Sequence, residues 1–148
     1  MSLLRNLIAE KVEFFSRILD TTHDVIWAMD INGKFIYASP SVEKLRGFTV
    51  EEVLQEEAFA AIHADDQKLV RRIFNTGVEL IEKGVTRIPP GKVRLRQLCK
   101  DGTTVWTEVF ADYVFNEDRE FLFVLGLSRN IDDLVKAEQQ IKELKKKS

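Results

Sequence analysis

The chain is poor in the residues from which most reactive sites are built. It has one cysteine among 148 residues, so no disulfide can form within it. A lone thiol points to a reducing compartment, and Cys99, at a strand end beside a turn, reads as a small buried apolar side chain. There are two histidines, His23 and His63, and neither they nor the scattered acids fall at metal-ligand spacing. The formal net charge is -2, from 22 basic and 24 acidic residues, and there is no clustered basic surplus of the kind that binds nucleic acid. The lysines at 145–147 read as a solvated helix end facing the negative pole of a helix dipole. No apolar run approaches the roughly 20 residues of a membrane span, and no signal peptide is visible. Phosphate-binding glycine loops are missing too. The carboxylate pairs Glu51-Glu52, Glu56-Glu57 and Asp65-Asp66 are sequence neighbours, set about 100° apart on a helix, so they do not form paired acid/base sites. Nothing here assembles a catalytic set.

What is present is one domain's length of chain, with enough apolar residues for a real core. Residues 3–19 read as an amphipathic helix, with Leu4, Leu7, Ile8, Val12, Phe15, Ile18 and Leu19 on one stripe. Residues 24–29 and 34–38 are short strands around Asp30-Ile31-Asn32-Gly33, where Asn-Gly is a hairpin signal. Short helical pieces follow to about residue 64. Pro40 suits a first helical turn, Gly47 ends one piece, and Thr49 with Glu52 forms a capping box opening the next. Asp65 or Asp66 is expected to cap a long helix to about Lys83, closed by Gly84. Its apolar face would comprise Leu69, Val70, Ile73, Phe74, Val78, Leu80 and Ile81, and Gly77 inside it would allow close approach of another backbone or a ligand. After a loop at 85–91 come strands over 92–99, 104–115 and 119–128, joined by Lys100-Asp101-Gly102 and Asn116-Glu117-Asp118. Gly33, Gly47, Gly91 and Gly102 read as turn glycines. The order implies an α+β fold with a five-stranded antiparallel sheet.

The last strand runs without a Gly or Pro linker into a charged helix whose Leu134, Ala137, Ile141 and Leu144 alternate at steps of three and four. That is a coiled-coil seam, and it suits a helix that carries a conformational change out of the domain. The seam stops at Ser148 after about two heptads, which reads as a fragment of a longer chain. Strand 104–115 sets Val105, Thr107, Val109, Ala111 and Tyr113 on one face and Trp106, Glu108, Phe110, Asp112 and Val114 on the other. Trp106 and Phe110 are large surfaces to leave wet. The N-terminal helix and a second copy of the chain are the expected covers, so Trp106, Phe110, Leu134 and Ile141 are the candidate dimer residues.

At this point the sequence resembles a PAS domain, the sensory-box module of bacterial signalling proteins, over about residues 17–144. Residues 30–40 are similar to the family's first hairpin, and Gly47-Phe48-Thr49-Val50-Glu51-Glu52-Val53 to its short-helix segment. Ile62-His63-Ala64-Asp65-Asp66 resembles the His-Pro-Asp-Asp opening of the long helix, with Ala64 where proline is usual. Lys100-Asp101-Gly102 with Val105-Trp106 resembles the third hairpin, and Arg129-Asn130-Ile131-Asp132 the Asp-Ile-Thr junction before the output helix. In that junction Asn130 stands for Asp and Asp132 for Thr, and both still cap helices well.

The resemblance implies a PAS-like sheet with short helices and one long helix on one face, plus flanking helices at both ends. It divides the chain into an N-terminal flanking helix (1–20), a sensor domain (21–130) and the start of an output helix (131–148). Ligands would lie between sheet and helices, against Phe48, Phe59, Ile73, Phe74, Val109 and Tyr113. The short helices hold no cysteine for covalent flavin photochemistry, and residues 67–83 hold no histidine for haem. Non-covalent flavin or a small organic ligand stays open. No convergent polar groups stand out, so a filled core or small cavity is expected ahead of a bound cofactor. The expected role is a non-catalytic sensory and dimerisation domain of a multidomain protein, relaying a ligand- or partner-induced change through strand 119–128 and the junction Arg129, Asn130, Ile131, Asp132. Its effector would be a histidine kinase or a diguanylate cyclase. The partners expected are a second copy, that effector and a small molecule, but no nucleic acid. The domain would be cytoplasmic, whether or not the full protein is membrane-anchored. The alternatives are a flavin or haem sensor and a ligand-free interaction scaffold.

Overall fold

A computed structural model describes residues 3, 5, 6, 8, 9 and 23–147. The helix expected over 3–19 therefore lies largely outside the described residues, though the described positions from Leu3 to Ala9 are helical. The elements are β1 (Val25–Met29), β2 (Phe35–Ala38), α1 (Val42–Arg46), α2 (Val50–Val53), a 3-10 turn (Ala58–Ala61), α3 (Ala64–Glu82), β3 (Gly91–Leu98), β4 (Thr104–Phe115), β5 (Phe121–Asn130) and α4 (Asp132–Lys147). The strands form one antiparallel sheet in the order β2-β1-β5-β4-β3, so the first strand pairs with the last at its centre.

Three hairpins share one turn geometry. In each, the first residue's N–H donates to the carbonyl of the fifth, and the fourth residue's N–H donates to the carbonyl of the first. The pairs are Asp30–Lys34 with Gly33, Cys99–Thr103 with Gly102, and Asn116–Glu120 with Arg119. The fourth residue is left-handed each time, with φ of +80° at Gly33, +89° at Gly102 and +65° at Arg119. Asn32 is not left-handed, so the first turn is this longer loop and not a two-residue Asn-Gly turn. Gly91 makes no turn; it opens β3.

The capping box at α2 is present as expected, with Thr49 and Glu52 exchanging bonds of 3.1 and 3.0 Å. Helix α3 departs from expectation at its start. His63 is the N-cap, its Nδ1 accepting from the Asp65 N–H at 3.1 Å. Asp66 is drawn away because its carboxylate accepts from the Arg96 backbone N–H (2.8 Å) and from the Arg96 guanidinium (3.1 Å, twice). At the other end Gly84 (φ +88°) closes the helix, with Gly84 and Val85 donating to Ile81 and Leu80 at 3.0 Å. The apolar face of α3 is narrower than the sequence implies. Phe74 and Gly77 are buried, while Leu69 and Ile73 are 49% and 48% exposed.

Helices α1–α3 and the 3-10 turn cover one face of the sheet, and Met29, Phe59, Ile62, Phe74, Leu95, Val109 and Val124 form the core between. On the opposite face Ile8 packs with Ile26, Ala28 and Ile36. Further along that face Trp106 and Phe110 are half-buried beneath cations: Arg96 lies 5.0 Å from the Trp106 ring, and Lys92 and Arg129 lie 5.9 and 6.0 Å from Phe110. Among the described residues no helix is long and apolar enough to cross a membrane.

Candidate functional site

Between sheet and helices lies a cavity of about 120 Å³. Its walls include Trp27 and Met29 from β1, Phe35 from β2, Phe59 from the 3-10 turn, Ile73 and Phe74 from α3, Val93 from β3, and Val109, Ala111 and Tyr113 from β4. Of the six residues named from the sequence, Phe59, Ile73, Phe74, Val109 and Tyr113 line it; Phe48 does not. Phe48 packs instead with the group around Val25, Ala38, Val42 and Val53, under the Arg46 guanidinium at 4.8 Å. Arg46 takes a place in the cavity wall, almost fully buried. It donates to the Glu56 carboxylate at 2.9 and 3.1 Å and to the Leu98 carbonyl at 2.9 Å. A buried guanidinium so paired is neutralised in place.

The cavity has a polar pole that the sequence did not reveal. Ser128, 2% exposed, accepts from Trp27 Nε1 at 2.9 Å and from Gln97 Nε2 at 3.3 Å. All three line the cavity. On its way to Ser128 the indole passes directly over Gly126, where any Cβ would overlap its six-membered ring. The available signal was a glycine amid an apolar strand, which marks a close approach. Gly77 on α3 does the same for Tyr113, whose phenol occupies the space a Cβ would need. That contact is neither the backbone nor the ligand expected there. Burial pushes the Tyr113 hydroxyl above its ordinary pKa.

The start of α3 is fastened to β3. Beside the Asp66–Arg96 contacts, the His63 N–H donates to the Arg96 carbonyl at 2.9 Å, and Gln67 donates to the Ile62 carbonyl at 2.9 Å. The hydrogen bonds from Arg96 hold the Asp66 carboxyl below its ordinary pKa. Cofactor size can be tested against these walls. Pockets for drug-sized ligands run to about 300–1,000 Å³, against about 120 Å³ for this cavity.

The junction residues come together at the end of β5. Arg129 pairs with the buried carboxylate of Asp24 at 3.1 and 3.3 Å. Asn130 Oδ1 accepts from the Asp132 N–H at 2.9 Å, an Asx-type turn into α4. Ile131, 4% exposed, donates its N–H to the Trp106 carbonyl, and Asp132 Oδ1 accepts from the Trp106 N–H, both at 2.9 Å. Both backbone groups of Trp106 are thus held by the chain entering α4. Further along, Arg94 bridges Glu138 of α4 (2.7 Å) and Glu108 of β4 (3.5 Å). Ile131, Val135 and Glu138 share one side of the helix. The seam lies roughly 100° round it, with Leu134, Ile141 and Leu144 exposed at 46%, 53% and 68%.

A family model described as PAS fold matches residues 13–131. The solved sensory box histidine kinase/response regulator of Burkholderia thailandensis is 19% identical, with a TM-score of 0.66 over 90% of this chain and 95% of that one. The N-terminal domain of a diguanylate cyclase with PAS/PAC sensor from Marinobacter aquaeolei is 24% identical, with a TM-score of 0.58 over 73% of this chain and 94% of that one. Both likenesses are of fold. In sequence, sporulation kinase C of Bacillus subtilis is 21% identical over 132 residues, 87% of this chain. The chain spans 14% and 28% of the length of the two curated relatives it matches.

Proposed function

Since the chain belongs to the PAS-fold family, we propose that it is the ligand-sensing and dimerising module of a larger signalling protein, with residues 21–130 as sensor and 131–148 as the start of the output helix. The carrying observation is the absence of slack between cavity and helix. Ser128 is in the cavity wall, and four residues later Asp132 begins α4 while hydrogen-bonded to β4. A change in how Trp27, Ser128 and Gln97 pack would move the end of β5. With Arg129 tied to Asp24 and Ile131 buried, that motion passes to the helix axis and is not absorbed by a loop.

In this reading Leu134, Ala137, Ile141 and Leu144 pair with the same residues of a second copy, and Trp106 and Phe110 contribute at the sheet. The ligand shifts the helix pair between two registers only by its difference in affinity for them. The effector is a histidine kinase or a diguanylate cyclase, the kinds of protein that the two solved neighbours are named as. The test is Leu134→Asp. Leu134 is 46% exposed, so the fold should survive. Self-association, followed by sedimentation equilibrium, should weaken by at least about tenfold as a charge enters the seam. An unchanged dimer constant would remove the seam from the interface.

A further inference from the structure

The cavity's chemistry narrows the ligand, on the reading of this domain as a ligand sensor. About 120 Å³ is slightly less than the roughly 150 Å³ cavity that holds benzene, so the occupant has at most about six non-hydrogen atoms. Five aromatic side chains, Trp27, Phe35, Phe59, Phe74 and Tyr113, surround it, and apolar walls at this scale stay dry. No charge is on offer. The one ionised side chain in the wall, Arg46, is matched two bonds to two by Glu56.

One polar valence is left open. A serine oxygen has two lone pairs and one proton. With the Gln97 amide oriented so that its nitrogen faces Ser128, the Ser128 lone pairs take the Trp27 and Gln97 N–H groups and the hydroxyl proton is free to meet a ligand, although the side chain is 2% exposed. A buried donor left unpaired is destabilising, and a ligand supplying an acceptor atom relieves it. We infer that the cavity takes a small uncharged ring compound bearing one acceptor oxygen (a ketone, aldehyde or ether), with that oxygen accepting from Ser128 Oγ and the ring among the aromatic walls.

The experiment compares three probes on the intact chain by ligand-observed NMR titration: cyclopentanone, methylcyclopentane of matched size, and cyclopentanecarboxylate. Cyclopentanone should bind with a Kd on the order of 0.1–1 mM, and the carboxylate should not bind. Ser128→Ala should weaken cyclopentanone about three- to tenfold and leave methylcyclopentane within about twofold. That variant also deprives Trp27 and Gln97 of their acceptor. Val70→Phe therefore serves as a second variant, filling the cavity from α3, whereas Trp27, Gln97 and Ser128 stand on strands; it should abolish binding of both neutral probes. The assignment is overturned if neither neutral probe binds the unaltered chain, if the carboxylate binds best, or if Ser128→Ala weakens both neutral probes alike. A spin label at the exposed Ile141 separates the two readings. Cyclopentanone binding without a change in inter-label distance would refute the relay and leave the ligand class intact.

Discussion

Gly126→Ala puts the geometry of the site to a quantitative test. In an extended strand with no positive φ, alanine for glycine normally stabilises by about 0.4–1 kcal/mol, because the unfolded chain loses freedom. Here the new methyl would overlap the Trp27 indole, so the ring must leave its seat. Leaving breaks the 2.9 Å bond to Ser128, worth about 1 kcal/mol, and the edge-on contact with Phe35 at 5.9 Å, worth about 1 kcal/mol more. Overpacking adds roughly 1–3 kcal/mol. The net is a destabilisation of about 3 kcal/mol, or roughly 10 °C in Tm for a chain of this size. Urea unfolding followed by circular dichroism measures it, and Gly91→Ala is the internal control. Nothing lies within 4 Å of a Cβ at Gly91, so the same substitution there should be neutral or stabilising. In a Trp27→Leu background Gly126→Ala should cost less than about 1 kcal/mol. Equal costs in the two backgrounds, or a Gly126 variant as benign as the Gly91 one, would refute the argument that the glycine exists to seat the indole.

Three further outcomes follow from contacts described above. Arg119 holds the left-handed position that glycine holds in the other two hairpins, so Arg119→Gly should raise stability by about 0.5–1 kcal/mol in urea unfolding, and a loss would contradict the turn assignment. Asp66 has its folded-state pKa lowered by Arg96, so its contribution is complete above the ordinary value of 3.8 and disappears as pH falls through the lower folded value. Asp66→Asn should accordingly be less stable at neutral pH and show a shallower loss of stability below about pH 4; parallel acid-unfolding curves would count against the pairing. Trp106→Ala should weaken self-association, and an unchanged dimer constant would exclude Trp106 from the interface.

Local chemistry made most of the architecture readable. Thr49 and Glu52 sit three apart and close a capping box with their own backbone, and Gly84 terminates α3 by its φ alone. Such signals need no knowledge of distant residues. Asp66 shows where that stops. Judged locally it is an N-cap, but Arg96, thirty positions on, competes for its carboxylate, and His63 takes over the cap. The polar pole is less legible still. Trp27 and Ser128 are 101 residues apart, and neither residue type is unusual in its strand. Of the pocket residues, Ile73, Phe74, Val109 and Tyr113 follow helix periodicity and strand alternation, which fix which way side chains point, while Phe59 stands on the 3-10 turn, where neither period applies. Phe48 failed because a residue after a left-handed glycine belongs to neither period. Whether apolar walls close completely or leave about 120 Å³ depends on fit within a methyl group's width, which no pattern of residue types encodes.

The position of β5 at the middle of the sheet has a consequence for how the molecule is made. Synthesis delivers β1 with β2, and later β3 with β4, as two hairpins stabilised by neighbours in sequence. Each must then wait with an open edge, since the strand that joins them is the last of the five to leave the ribosome. Closing the sheet needs contacts more than a hundred residues apart, as between Val25 and Ser128, so the loop-closure entropy falls on one late step. Until β5 inserts, the cavity has no floor, Trp27 has no glycine to rest on, and α4 has no strand to extend. The core, the candidate site and the helical exit should therefore form together in a single cooperative event, and a nascent chain halted before Phe121 should be the species most exposed to edge-to-edge aggregation.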